Sequence, residues 1–160
     1  MNKIYQKALE CLGLDMSTKE DEYGCAEAVN KIFKLATGRE VGGDISTYRM
    51  YLSLRKDDDF IQSPYNLPGD IIISPTGFGK GNGHVGIVSE NNKIMSNNSA
   101  NSLWEENYTI DEWRNKFKDF PILFYRYRTD EVKIIEQKKI NILEAIVVAY
   151  QKIISLLLKK

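Results

Sequence analysis

The middle of the chain constrains the fold most, because it encodes three short strands in succession. After the turn Pro68-Gly69-Asp70, the β-branched run over residues 71–74 predicts a buried strand. Residues 84–89 and 93–98 flank Glu90-Asn91-Asn92, and Asn tolerates the positive φ that a hairpin turn requires. Short consecutive strands of this kind predict an antiparallel sheet.

Helices are predicted on both sides of this region. Apolar residues recur at helical spacing over residues 4–12, 25–36 and 44–54. Asp44 is the predicted N-cap of the third helix, and Thr109-Ile110-Asp111-Glu112 has the spacing of a capping box. With a closing strand over residues 121–128, the pattern predicts an α+β fold in which N-terminal helices pack on a central antiparallel sheet.

The end of the chain differs from the rest. Residues 134–158 are strongly apolar, with two series of apolar residues on one broad helical face. Glu144, Gln151 and Lys152 interrupt the run, so a membrane span, which needs ~20 apolar residues, is not expected. We predict an amphipathic helix over residues 129–160, appended to a catalytic domain over residues 1–128. Its expected role is self-association into a homo-oligomer through residues 134–158, or contact with a membrane or the cell wall.

Charge and composition exclude several classes of protein. The 160 residues carry 22 Lys+Arg and 22 Asp+Glu, so the formal net charge is zero and a nucleic-acid partner is not expected. A hydrophobic content of 42% supplies a core and argues against disorder. The N-terminus lacks an apolar segment followed by small residues, so we expect synthesis in the cytoplasm without a signal peptide.

The two cysteines, Cys11 and Cys25, are too few for a disulfide framework or a metal site, and no cofactor is expected. Cys25 opens a predicted helix, where the helix dipole favours a thiolate and unpaired N–H groups can stabilise an oxyanion. The alternative is that Cys25 is a small buried hydrophobic residue.

His84 is the only histidine, so any Cys-His pair must use it. The identity of a third residue depends on the hairpin register. With a three-residue loop, Ser96 and Asn98 share the His84 face, whereas a two-residue loop places Asn97 there. We prefer Asn98, with Asn97 next, because an amide oxygen is a good acceptor for an imidazole N–H.

Three motifs in this order resemble the NlpC-like and CHAP superfamily of papain-like cysteine peptidases and amidases. They are Gly24-Cys25-Ala26, Leu67-Pro68-Gly69-Asp70-Ile71-Ile72 and Gly83-His84-Val85-Gly86-Ile87-Val88. The resemblance spans residues 20–128, and the ending Phe124-Tyr125-Arg126-Tyr127 is similar to that of small phage lysins. It implies a papain-like fold and hydrolysis of a peptidoglycan amide. Cys25 would be the nucleophile, His84 the base and then the acid, and Asn97 or Asn98 the residue that orients His84.

The chain also departs from this family. Many relatives have Asp or Asn before the cysteine and Ser or Gly after it, where this sequence has Gly24 and Ala26. Tyr23, Tyr48, Arg49 and Trp104 are candidates for lining a substrate groove, with Tyr23 and Trp104 preferred and Tyr23 the closest to Cys25 in the sequence; the alternative is that these side chains belong to the core or its rim. The glycine-rich stretch over residues 77–83 lacks the spacing of a phosphate-binding loop and predicts a loop at the mouth of the cleft.

The resemblance therefore implies a phage endolysin-like peptidoglycan hydrolase, an amidase or an endopeptidase. Bacterial peptidoglycan is the expected partner, and the cell wall is reached after release or by injection. Two alternatives remain open at this point. One is an acyltransferase on the same thiol scaffold, and the other is a catalytically inactive binding module.

Overall fold

The computed structural model describes residues 2–17, 24–128 and 130–157. It divides into two compact units, Met1–Tyr127 and Arg128–Lys160. Within the described residues the chain is α+β, with five helices and one six-stranded antiparallel sheet. The α+β class and the antiparallel sheet predicted from the sequence are confirmed.

The first unit holds four helices and the whole sheet. Its elements are α1 (Lys3–Glu10), α2 (Gly24–Thr37), α3 (Thr47–Lys56), β1 (Phe60–Ser63), β2 (Ile71–Ser74), β3 (His84–Val88), β4 (Lys93–Asn97), β5 (Trp104–Thr109), α4 (Ile110–Lys116) and β6 (Leu123–Tyr127). The strand order is β1-β6-β2-β3-β4-β5. The strands β2, β3 and β4, which the sequence predicts in succession, lie side by side in this order.

The β3–β4 hairpin has the three-residue loop. Gly86 lies opposite Ser96, and the Ser89 amide donates to the Lys93 carbonyl across the loop at 2.8 Å. Asn91 and Asn92 adopt φ of 54° and 58°, which confirms the predicted left-handed turn. This register places Ser96 on the His84 face of the sheet.

The sheet separates two apolar cores, because successive side chains of a strand point to opposite faces. Ile71 and Ile73 of β2 pack in the core formed with α1, α2 and α3. Ile72 packs in the core formed with α4. All three side chains are buried, which explains why β2 reads as a continuous β-branched run.

The two tryptophans lie in different cores, and each indole N–H is satisfied. Trp104 packs against α1 and donates to the Ala8 carbonyl at 3.1 Å. Trp113 packs on the other side and donates to Ser74 Oγ at 3.0 Å. Both are fully buried. The prediction that Trp104 binds substrate is therefore wrong, because its side chain has no surface to offer a ligand.

The Pro68-Gly69-Asp70 turn fixes the start of β2. Gly69 has a φ of +94°, which favours glycine. The buried Asp70 carboxylate accepts from the Leu67 amide at 2.9 Å and from Arg126 through both oxygens, at 2.9 and 2.8 Å. This motif ties the turn to β6, so its role is structural.

The third and fourth helices begin at different kinds of cap. The side chain of Ser46 caps α3, whereas Asp44 lies earlier in the loop with a φ of 56°, so the predicted Asp44 cap is wrong. The capping box of Thr109 and Glu112 at the start of α4 is confirmed. Asp44 cannot cap α3, because it lies two positions before the cap and its backbone is in the left-handed region.

The second unit contains α5 (Asp130–Leu157), which agrees closely with the predicted helix. Its apolar side chains include Ile142, Leu143, Ile146 and Tyr150, which are 55–67% exposed. Residue 158 lies outside the described part of the chain. No helix within residues 2–17, 24–128 and 130–157 has the length and apolar character that crossing a bilayer requires.

Candidate active site

A pocket of about 230 Å³ lies at the N-terminal end of α2. It is bounded by α2, by the start of α3, by Thr76 and by the last residues of the glycine-rich loop. The lining residues are Cys25, Ile45, Ser46, Thr47, Tyr48, Thr76, Asn82 and Gly83. None of these residues carries a charge, and hydroxyl and amide groups supply the polar part of the lining.

Cys25 is the second residue of α2, and its sulfur meets backbone N–H groups. The amides of Val85, Ala26 and Cys25 itself lie close enough to the sulfur to lower its pKa. Burial has the larger effect and raises the pKa of the thiol to about 11. Cys25 is therefore a neutral thiol at physiological pH, and the first turn of α2 offers donors to an anion formed beside it.

His84 begins β3, and its ring lies among aromatic side chains of the α4 side. The ring centroid is 5.2 Å from that of Trp113, 5.8 Å from Phe117 and 6.0 Å from Tyr108. Burial in this enclosure, with a smaller contribution from the positive charge of Lys116, lowers the pKa of His84 to about 3. The imidazole is therefore neutral.

The contact between Cys25 and the strand of His84 is made by the backbone of β3, and the His84 side chain takes no part in it. The Val85 amide, one residue from His84, lies beside the Cys25 sulfur. Val85 packs in the α2 core with Cys25, whereas the His84 ring packs against Trp113. In the described part of the chain no hydrogen bond joins the thiol to the imidazole. The side chains of the predicted pair thus lie toward opposite faces of the sheet, and the structure does not join them in a hydrogen bond.

The side-chain partner of His84 is Ser96. The distance from His84 Nε2 to Ser96 Oγ is 3.0 Å. Asn98, the preferred third residue, instead donates to Glu105 at 2.7 Å and accepts from the Ala100 amide at 3.0 Å. The structure therefore does not pair Asn98 with His84, because Glu105 on the neighbouring strand holds its amide.

Asn107 was not identified from the sequence, and it extends this contact by one residue. Ser96 Oγ donates to Asn107 Oδ1 at 2.8 Å, and Asn107 Nδ2 donates to the Ser96 carbonyl at 3.4 Å. Asn107 is the extra residue of a β-bulge, since Ile94 pairs with Tyr108 and Met95 with Glu106. A strand and a bulge over this polar stretch had no signal in the sequence.

Asn97, the second choice for the third residue, lies on the Cys25 side. Its buried amide nitrogen is 2.7 Å from the position that a Cβ on Gly24 would occupy. Its Oδ1 has no hydrogen-bond partner among the residues that the structure describes. Glycine at position 24 thus has a physical reason, because the Asn97 amide fills the space that a larger side chain would need.

The aromatic residue at the pocket is Tyr48 of α3. Its ring centroid is 6.2 Å from that of Phe78 in the glycine-rich loop, and both side chains are about half exposed, at 44% and 49%. They form an aromatic rim beside the Cys25 pocket. Tyr23, the other predicted substrate-binding residue, lies outside the described residues.

Comparisons with known proteins assign no family to this arrangement. No protein-family model matches the chain, and no curated protein matches it. The described residues also include no group of three or more His, Cys, Asp or Glu side chains placed to hold a metal ion.

Proposed function

We propose that the protein is a papain-like cysteine hydrolase of the NlpC/CHAP type that cleaves an amide bond in bacterial peptidoglycan. One observation carries the proposal. The Cys25 thiol lines an open pocket at the N-terminus of α2, beside the backbone of the strand that begins with the only histidine. The order of the three family-like motifs along the chain supports the same activity.

In the proposed reaction, Cys25 attacks the amide carbonyl while His84 Nδ1 accepts the thiol proton. Backbone N–H groups at the start of α2 bind the resulting oxyanion. His84 then protonates the leaving amine, and the C–N bond breaks to leave a thioester. A water molecule next attacks the thioester while His84 accepts its proton. The C–S bond then breaks, the acid is released, and His84 returns the proton to the Cys25 sulfur.

The electrostatics favour a thiol and a neutral imidazole at rest. Burial raises the pKa of Cys25 and lowers that of His84, so a preformed thiolate-imidazolium pair is disfavoured. Proton transfer must therefore accompany the attack, and the imidazole must first approach the sulfur. Substrate binding in the pocket would supply the driving force for that rearrangement.

The pocket lining is compatible with a peptidoglycan substrate. The hydroxyl of Ser46 and the amide of Asn82 can bond to sugar hydroxyls and peptide amides without a matching charge, whereas the Thr47 and Thr76 hydroxyls bond to each other at 2.9 Å. The aromatic rim of Tyr48 and Phe78 offers an apolar surface beside these groups. A wall-acting enzyme of this kind would reach its substrate after release or by injection.

The test is loss of turbidity of purified peptidoglycan with the wild type, Cys25→Ala and His84→Ala. Cys11→Ala is the matched control, because Cys11 is also buried but lies outside the pocket. We expect lysis by the wild type and the control only, and mass analysis of the fragments would then distinguish amidase from endopeptidase cleavage. Lysis that survives Cys25→Ala would exclude the mechanism. Failure of the wild type on walls of both Gram types would favour the transferase or the binding module.

For α5 we propose self-association, because its exposed apolar side chains follow two adjacent heptad-like series. Sedimentation of the full chain should give an oligomer. A double variant, Ile142→Glu with Ile146→Glu, should be monomeric, whereas the control Lys139→Glu should not. If the wild type is itself a monomer, self-association is excluded, and co-sedimentation with anionic vesicles would test for membrane contact.

A further inference from the structure

The direction of the hydrogen bonds between Asn107 and Ser96 follows from their donors. The Asn107 amide nitrogen donates to the Ser96 carbonyl, so its oxygen faces the Ser96 hydroxyl at 2.8 Å. An amide oxygen only accepts, so the single hydroxyl proton of Ser96 must point to Asn107. Ser96 Oγ then has only lone pairs to offer to His84.

This direction determines which nitrogen of His84 carries the proton. Because Ser96 Oγ can only accept, Nε2 at 3.0 Å must be the donor. The neutral ring has one proton, so Nδ1 is left with a free lone pair. Within residues 2–17, 24–128 and 130–157 no hydrogen bond reaches Nδ1.

The bulge in β5 makes this arrangement possible. Two successive residues of a regular strand point to opposite faces, but Asn107 and Tyr108 both reach the His84 side. Tyr108 encloses the ring, and Asn107 contacts Ser96. The sequence segment that supplies the aromatic wall thus also supplies the acceptor.

We propose that Asn107 is a positioning residue that acts through Ser96 to hold His84 in the Nε2–H tautomer, which keeps Nδ1 as the proton acceptor. This inference rests on the proposed function, since Nδ1 is the atom that would take the Cys25 proton. In the opposite tautomer Nδ1 already carries a proton and cannot act as a base. Loss of the Asn107 acceptor should therefore reduce the rate of lysis by about tenfold or more.

The tautomer can be measured directly, because the chain contains one histidine. Long-range ¹H–¹⁵N correlation spectra of ¹⁵N-labelled full-length protein at pH 7 distinguish the protonated ring nitrogen from the bare one. We expect Nε2–H in the wild type. A wild-type spectrum dominated by Nδ1–H would overturn the proposal without any variant.

Variants at position 107 test the direction of control. Asn107→Leu keeps the approximate volume but removes the acceptor, so the Ser96 hydroxyl is free to donate to Nε2 and the Nδ1–H form should appear. Asn107→Asp keeps an acceptor and should restore the Nε2–H form. Asn115→Leu on α4 is the control, since Asn115 is exposed and lines a surface cleft together with Asn107. An unchanged tautomer in Asn107→Leu would overturn the proposal.

Coupling to Ser96 provides a second criterion. In a Ser96→Ala background the link to His84 is absent, so Asn107→Leu should have no further effect on the tautomer or on the rate of lysis. An equal effect of Asn107→Leu with and without Ser96 would refute the relay. The NMR result does not depend on catalysis. A confirmed tautomer with an inactive wild type would therefore reject the proposed function and leave the positioning role of Asn107 standing.

Discussion

The Asn97 carboxamide occupies the space that a side chain on Gly24 would need, with its nitrogen 2.7 Å from the ideal Cβ position. Ser17 closes the same space from another side, with its own Cβ also at 2.7 Å. The N-terminus of α2, and with it Cys25, is therefore held between β4 and the segment that follows α1.

Gly24→Ala should destabilise the protein by about 1–3 kcal/mol, because the added methyl group overpacks a filled site. Urea unfolding followed by circular dichroism measures the change. The double variant Gly24→Ala with Asn97→Ala should lose less stability than the sum of the two single variants, because removal of the amide makes room. Strict additivity of the two changes would contradict direct contact between these side chains.

The pair of Asp70 and Arg126 should be important for stability. Asp70→Asn removes the charged partner of the partly exposed Arg126 guanidinium from a buried site, and we expect a loss of about 1–3 kcal/mol in the free energy of unfolding. Glu10→Gln, which removes an exposed ion pair with Lys7 on α1, is the control and should leave the unfolding midpoint unchanged. Equal effects of the two substitutions would contradict the structural role of the Pro68-Gly69-Asp70 turn.

His84 should remain neutral far below the usual range for histidine. Its pKa is lowered to about 3, so NMR signals of the folded ring should not titrate between pH 8 and 5, whereas those of the urea-unfolded chain should titrate near 6.5. Between about pH 6.5 and 3 the unfolded chain binds a proton at His84 that the folded chain does not. The free energy of unfolding therefore decreases as the pH is lowered through this range. His84→Gln should lack this contribution. A midpoint above pH 5.5 in the folded protein would contradict the aromatic enclosure.

Alkylation of Cys25 should report a protonated thiol. Because the pKa is raised to about 11, the rate with iodoacetamide should increase about tenfold per pH unit between pH 7 and 10 and reach no plateau. The experiment uses Cys11→Ala protein, so that the adduct arises from Cys25 alone. A plateau with a midpoint below pH 8 would indicate a resting ion pair with His84, contrary to the geometry described above.

Local signals in the sequence were sufficient for the centre of the fold. The asparagines of the β3–β4 turn, the capping box at Thr109 and the glycine that follows α2 each act over a few residues, so their structures could be predicted from those residues alone. The strand β2 was identifiable because both of its faces are buried.

The edge strands had no such signal. β1 is only four residues long and pairs with β6, which follows it by some sixty residues. β5 contains Glu105, Glu106 and Asn107, a polar run that becomes a strand because β4 lies beside it. A partner distant in sequence decides β1, and pairing with the preceding strand β4 decides β5.

The hydrogen-bond partner of His84 could not be predicted, because it depends on how β5 pairs with β4. The three-residue turn places Ser96 and Asn98 on the correct face, but Glu105 of β5 captures the Asn98 amide, and Asn107 of β5 backs Ser96. An amide oxygen does take part in these hydrogen bonds, but it lies on β5 and not on β4. That oxygen belongs to Asn107 and acts through a hydroxyl.

The positions of the two tryptophans provide an internal optical probe of how the sheet unfolds. Each indole is buried on a different face, so protein containing only Trp104 or only Trp113 reports the melting of one core. Coincident transitions would identify the two faces as one cooperative unit, whereas separate transitions would define two foldons that share β2. The strand β2 has side chains in both cores, so it is the element that couples the unfolding of one core to that of the other.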